Sequence, residues 1–271
     1  MLFRSLLQAT PGRFLKLADG QFLALTQEFR KRLEDLRTFS EPSGQGVRFH
    51  PLASVALEDW IEEVGQLKTD QHWKTHIKRL KEAQNLQPQL PSTLQAELRD
   101  YQKEGFNWLA RLAHWGVGAC LADDMGLGKT LQALAIILSR APQGPTLIIA
   151  PTSVGMNWLG EAERFAPTLR PIQLGGGDRQ QLLNNLQPFD LLVCSYGLLQ
   201  QENVASLLAA VQWQTIVLDE AQAIKNSATK RSKAAMQLQG NFKLITTGTP
   251  IENHLGELWN LFRFRSEEHN V

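Results

Sequence analysis

Two short segments hold the side chains best suited to chemistry on a phosphate: ADDMGLGKT, Ala122 to Thr130, and TIVLDEAQ, Thr215 to Gln222. In the first, Gly126 and Gly128 tolerate backbone angles closed to other residues, so amide N–H groups can turn inward around an anion. A helical pattern begins near Lys129 and adds the positive end of its dipole. Lys129 is placed to pair with β- and γ-phosphates, and the Thr130 hydroxyl to bind Mg²⁺. Asp124, Met125 and Leu127 complete the loop. The general pattern GxxxxGK[ST] asks for glycine where Asp123 stands, so this is a variant of the common form.

In the second segment Asp219 and Glu220 close a hydrophobic, strand-like run. A lone acidic pair at a strand end is commonly just solvated. A phosphate loop on the same sheet supplies a reason for it: Asp219 would hold the Mg²⁺ shell, and Glu220 would orient and deprotonate an attacking water. That combination points to hydrolysis rather than transfer to a small acceptor. A third feature is charge. Between Glu220 and Glu252 there is no acid, yet Lys225, Lys230, Arg231, Lys233 and Lys243 all fall there. Such a run is either a solvated helix face or the local basic surface that tracking of a nucleic-acid backbone needs.

These residues must be positioned by the elements around them. Downstream of Leu98 the runs GVGACLAD, TLIIAP, LRPIQL, LLVCSY, TIVLDE and FKLITTGTP alternate with amphipathic stretches such as TLQALAIILSR and MNWLGEAERF. Short apolar runs separated by helices predict an α/β fold whose central, mainly parallel sheet is flanked by helices on both faces. Ligands of such sheets bind beyond the carboxyl ends of the strands, where the unusual residues lie. Upstream, residues 1–84 read as a small α+β accessory region. FLKLADGQFLAL predicts a hairpin turning at Asp19-Gly20, with Leu15 and Leu17 on one face with Phe22 and Ala24. Phe29, Leu33 and Leu36, and later Trp73, Ile77 and Leu80, follow at helical spacing. Prolines 88 and 91 in NLQPQLPSTLQ mark a linker over 85–97.

Composition excludes other classes. The 271 residues are 43% hydrophobic and 20% charged, an ordinary globular balance. With 28 Lys and Arg against 27 Asp and Glu, the net charge is +1, so any polyanion site must be local. Cys120 and Cys194 each sit in an apolar run without a CxxC or CxxH neighbour, which argues for reduced, buried thiols in an intracellular protein and against structural zinc. No apolar run approaches the roughly 18 residues of a membrane span. MLFRSLLQATPG has too short an apolar core for a signal peptide.

Three further segments, LRDYQKEGFNWL (98–109), LIIAPTSVGMNWLGE (147–161) and LITTGTPIENHLGELWNL (244–261), stand in order around ADDMGLGKT and DEAQAIKN. Together the five closely resemble the SWI/SNF-related ATPases, a branch of helicase superfamily two. The resemblance implies a RecA-like lobe over residues 98–265, with ATP and Mg²⁺ as ligands. It implies that Gln102 reads the adenine edge, that Gly126, Gly128, Lys129 and Thr130 hold the phosphates, and that Asp219 and Glu220 handle metal and water. It also implies that Gln222 couples hydrolysis to Thr247, Gly248 and Thr249. Pro151, Thr152 and Ser153 match a segment touching the DNA backbone, and IKN extends the DNA-facing reading to Lys225 and Asn226, beside Lys230 and Arg231.

The family translocates along double-stranded DNA to remodel bound proteins, so double-stranded DNA and a DNA-bound protein target are the implied partners. Its members use two lobes, the second supplying arginines to the γ-phosphate. No QxxxRxxRxGQ-like segment occurs here, and residues 266–271 form a polar tail. A second RecA-like lobe is therefore expected in cis or in trans. The expected location is cytoplasmic, nucleoid-associated if the chain is bacterial. The alternative reading is a lobe that binds ATP or DNA, or docks on a partner, without productive hydrolysis. A P-loop enzyme of small-molecule metabolism fits less well, because LITTGTPIENHLGELW resembles the segment that links nucleotide to polymer in motors.

Overall fold

A computed structural model describes residues 14–16, 22–24, 27, 40–43, 46–49, 71–124, 126–248 and 264. The chain divides into two compact units, residues 1–77 and 78–271.

In the first unit, β1 (Phe14–Lys16) pairs antiparallel with β2 (Phe22–Ala24), and β3 (Ser40–Ser43) with β4 (Gly46–Phe49). The first pair is the expected hairpin, but its register differs. Leu15 lies opposite Leu23 and Lys16 opposite Phe22, whereas a two-residue turn at Asp19-Gly20 requires Leu15 opposite Ala24. The connection therefore holds an odd number of residues, and a slip of one exchanges the faces of a strand. Leu17, Phe29, Leu33 and Leu36 lie outside the described residues.

Helix α1 (Gln71–Asn85) realises the Trp73, Ile77, Leu80 spacing and crosses the division between the units. Its last turns belong with the second unit. Leu80 and Ala83 are buried, Glu82 lies 3.2 Å from His114, and the Leu86 carbonyl accepts a bond from Arg111. The boundary thus falls before the Gln/Pro-rich stretch, because apolar side chains on α1 continue to find partners up to its end.

The second unit alternates helices and strands. Helix α2 (Asp100–Trp115) leads to β5 (Ala119–Leu121), α3 (Lys129–Arg140), β6 (Thr146–Ala150) and α4 (Thr152–Phe165). Then come β7 (Arg170–Gln173), α5 (Arg179–Asn184), β8 (Asp190–Ser195), α6 (Tyr196–Leu199) and α7 (Glu202–Ala209). The order closes with β9 (Gln212–Trp213), β10 (Thr215–Asp219), a 3₁₀ turn (Ala221–Ile224), α8 (Lys230–Met236), β11 (Gln239–Gly240) and β12 (Lys243–Thr246). All six strand-like runs are strands of one sheet, ordered β5-β12-β10-β6-β8-β7, every pair parallel.

The continuous apolar runs are explained by burial on both faces. Ile148, Val217, Val193 and Leu244 face a core shared with Phe106, Leu109, Ile137 and Trp158. Their neighbours in the strands, Ile149, Ile216, Leu192 and Ile245, face a second core with Leu199, Leu208 and Ala235. β7 departs from the expectation of two covered faces. Arg170 and Gln173 are exposed, and only the flanking Leu169 and Leu174 are buried. It is the edge strand, a place where Pro171, without an N–H to donate, costs no ladder bond. The two-residue pair β9–β11 was not legible in the pattern. Burial pushes the Cys194 thiol up to about 12, while Cys120 is half-buried. Among the described residues no helix is long and apolar enough to cross a membrane.

Candidate nucleotide site

Strands β5, β12 and β10 are neighbours and end side by side. Leu121 pairs with Thr246, and Thr246 with Asp219. A strand spacing of about 4.8 Å puts Leu121 and Asp219 roughly 10 Å apart. The Thr247 N–H donates to the Leu121 carbonyl at 3.2 Å, tying the chain that leaves β12 to the chain that enters the loop. The order of strands therefore brings the GKT segment, the acidic pair and Thr247-Gly248 to one end of the sheet.

Within the loop, Gly126 (φ 83°) and Gly128 (φ 74°) are left-handed. A Cβ on Gly126 would meet open space, so that position needs glycine for its angle alone. One on Gly128 would also run into the Gln102 amide. The Lys129 amine folds back to donate to the Asp123 and Asp124 carbonyls, at 2.7 and 3.0 Å. Asp123, where the common pattern has glycine, braces the loop against α3 by accepting a bond from buried Gln132. Gln102 is buried beside the loop. Its amide oxygen accepts the Arg99 N–H at the start of α2, and its amide nitrogen donates to the Leu127 carbonyl at 3.2 Å. Tyr101 donates to the same carbonyl. Met125 lies outside the described residues.

The acidic pair is held by more donors than its sequence announced. Asp219 is 9% exposed. Its Oδ1 accepts from Thr246 Oγ1 (2.6 Å) and from the Glu220 N–H (3.0 Å), and its Oδ2 accepts from the Trp158 indole (2.8 Å). Tyr196, fully buried, donates to the Asp219 carbonyl, and burial next to the two acids pushes its phenol well above the usual range. Glu220 stands at φ 48°, a conformation costing a non-glycine residue on the order of 1 kcal/mol or more. Gln222 donates to Glu220 Oε2 (2.8 Å) and accepts from Thr247 Oγ1 (3.0 Å), so one amide bridges the acid to the end of β12. Gly248 follows, half-buried. Thr249 lies outside the described residues.

Two residues that the sequence reading left without a role belong to this cluster. Trp158 and Glu161, one turn apart on α4, face the same centre. The Glu161 carboxyl is raised above its usual range, first by burial and then by the Asp219 charge. The Thr130 hydroxyl and Arg164 oppose the rise. The only available signal was their spacing: an acid three residues after a buried tryptophan shares its face. Among the described residues no three His, Cys, Asp or Glu side chains are grouped to hold a metal unaided. Mg²⁺ is usually bound through one or two carboxylates plus phosphate oxygens, and Thr130 with Asp219 fits that requirement.

The family model that matches residues 101–269 is that of the SNF2-related domain. The chain belongs to the SNF2-related family. YwqA of Bacillus subtilis (strain 168), described as an ATP-dependent helicase/translocase, is 42% identical over 92% of this chain and 29% of its own length. The ISWI chromatin-remodeling complex ATPase CHR11 of Arabidopsis thaliana is 39% identical over 64% of this chain and 17% of its own. The Sulfolobus solfataricus SWI2/SNF2 ATPase core, solved in complex with double-stranded DNA, superposes with a TM-score of 0.60 at 40% identity. That match covers 66% of this chain and 38% of the other. The fold of the SNF2-related domain is thus the RecA-like α/β fold, and the chain spans under a third of the length of the YwqA protein.

The residues expected to face DNA, taken with the basic run 225–243 of the SNF2-related domain, separate into two groups. Thr152 and Ser153 are exposed at the carboxyl end of β6, behind half-buried Pro151. Lys225 is half-buried just after the 3₁₀ turn, and Asn226, Lys230, Arg231 and Lys233 are exposed on the following loop and α8. Lys230 lies 3.5 Å from Glu202, an exposed pair of little energetic weight. Lys243 does not belong to this surface. It is 7% exposed and sits over the Phe264 ring at 5.2 Å, because it opens β12 and must pack with the sheet.

Proposed function

We propose that this chain is the ATP-binding first lobe of a SNF2-type motor acting on double-stranded DNA, hydrolysing ATP to ADP and phosphate when paired with a second lobe. The observation that carries the reading is the junction of three neighbouring strand ends, with Thr246 bonded to Asp219 and Thr247 joined to Glu220 through Gln222.

The chain's residues have separable tasks. The Lys129 amine, now satisfied by two loop carbonyls, exchanges them for β- and γ-phosphate oxygens. Gln102, beside the same loop, reads the adenine edge. Asp219 and Thr130 would hold Mg²⁺, which when bound would offset the charge of the phosphates. Glu220 accepts a proton from the attacking water. Its backbone is fixed by Asp219 Oδ1 and its carboxylate by Gln222, so the base is oriented before substrate arrives. Any displacement of Thr247 moves Gln222 and hence Glu220, which is how Thr247, Gly248 and Thr249 couple hydrolysis to DNA.

The test is phosphate release by the chain supplied with a second RecA-like lobe, with and without duplex DNA, with Glu220→Gln as control. DNA-stimulated release lost in the variant supports a motor lobe. ATP binding with no release under any condition favours a binding module instead.

The DNA assignment rests on Thr152, Ser153, Lys225, Asn226, Lys230 and Arg231. Lys230 and Arg231 stand in the first turn of α8, where the helix dipole disfavours cations by a few tenths of a kcal/mol or more. The exposed pair of Lys230 with Glu202 contributes little, and backbone phosphates would give both cations a stronger partner. Changing both to Glu is expected to weaken duplex binding equally across sequences and to reduce the slope of log K against log salt by roughly two. Fluorescence anisotropy at several salt concentrations measures this. A loss confined to one DNA sequence would contradict backbone tracking.

A further inference from the structure

We infer that Trp158 is a positioning residue for the Mg²⁺-binding carboxylate of Asp219, an inference that rests on the ATP-lobe reading above. A carboxylate's terminal torsion is broad, so donors on one oxygen leave its plane free to rock. Thr246 and the Glu220 N–H engage Oδ1, and the Trp158 indole engages Oδ2 at 2.8 Å from the opposite element, α4. Donors on both oxygens fix the direction in which the one remaining lone pair, on Oδ2, points. Partners of this kind set the affinity of a metal site, and losing one typically costs 10–100-fold.

A buried indole needs an acceptor, and that need alone would explain some bond. Another buried tryptophan shows that a backbone acceptor can satisfy an indole: Trp213 donates to the Leu208 carbonyl at 2.9 Å. Trp158, 1% exposed, instead spends its single N–H on a side-chain carboxylate at the end of β10. Its helix also carries Glu161, whose carboxyl faces Thr130 and Asp219. One face of α4 is therefore turned towards both residues that would hold Mg²⁺.

Two substitutions separate the bond from the packing. Trp158→Phe keeps a six-membered ring and removes the donor. Trp158→His removes the benzo ring but keeps a five-membered ring whose Nε2 takes the place of the indole nitrogen. The readout is binding of a fluorescent ADP analogue to the full chain, titrated with Mg²⁺ against an EDTA baseline, with the thermal midpoint recorded for each variant. Trp158→Phe is expected to leave the EDTA affinity within about twofold and to raise the Mg²⁺ midpoint about 10–100-fold. Trp158→His, although less stable, is expected to hold the Mg²⁺ midpoint nearer to wild type. A wild-type midpoint in Trp158→Phe overturns the assignment, as does a shift that follows thermal stability across both variants. Wild-type chain that fails to bind the analogue overturns the ATP-lobe reading itself, and this inference with it.

Discussion

The pure chain, given ATP, Mg²⁺ and duplex DNA, is expected to release phosphate about 10³–10⁵-fold more slowly than a two-lobed SNF2-type motor. These residues supply the ground-state half of the chemistry. In the proposed lobe the loop and Lys129 would hold the phosphates, Asp219 and Thr130 the metal, and Glu220 the water. In the proposed motor, charge on the far side of the γ-phosphate, where negative charge is redistributed as the bond breaks, would come from the second lobe. Arginines delivered from that lobe would perform the task, and an inserted arginine contributes about 4–7 kcal/mol of barrier. Phosphate release measured on the chain alone, and again after adding a second RecA-like lobe, checks the expectation. Addition of that lobe should restore DNA-stimulated turnover, and Glu220→Gln should remove it again. Turnover near that of a complete motor from the chain alone would mean that the transition state is stabilised from within these residues.

The sheet was legible because its strands are buried on both faces. Residues such as Ile148 and Ile149 point into different cores, so both positions must be apolar and the run stands out. β7 was readable as a strand but not as an edge, since its Leu169 and Leu174 mimic a covered run while the strand between them faces solvent. The hairpin was readable, but not its register, because Asp19-Gly20 identifies a turn without fixing which residues flank it. At the site, residues inside the five motifs' polar runs were legible, and core side chains whose polar ends reach them were not. Lys129 with Thr130 and Asp219 with Glu220 announce themselves. Trp158 and Tyr196 look like ordinary core residues, and only the fold, which sets α4 and α6 beside the end of β10, turns their polar ends towards Asp219. Lys243 failed in the opposite direction. Charge placed it with Lys230 and Arg231, but a strand start under Phe264 removes it from their surface.

Lys129→Ala is expected to reduce ATP affinity by at least about a hundredfold while the fold survives. Charge-assisted hydrogen bonds contribute roughly 1.5–3 kcal/mol each, and an amine shared by two phosphates makes two of them. Their loss amounts to about 3–6 kcal/mol, or 10²–10⁴ in dissociation constant. Stability should change little. The two carbonyls that the amine now satisfies belong to Asp123 and Asp124 in a half-exposed loop, where water can replace it, and alanine is well tolerated at the first position of α3. Calorimetric titration with MgATP, alongside a thermal melt, separates the two effects. Unchanged affinity would place the phosphates elsewhere and detach Lys129 from the acidic pair. A large fall in thermal midpoint would mean that the amine holds the loop together rather than waiting there for its ligand.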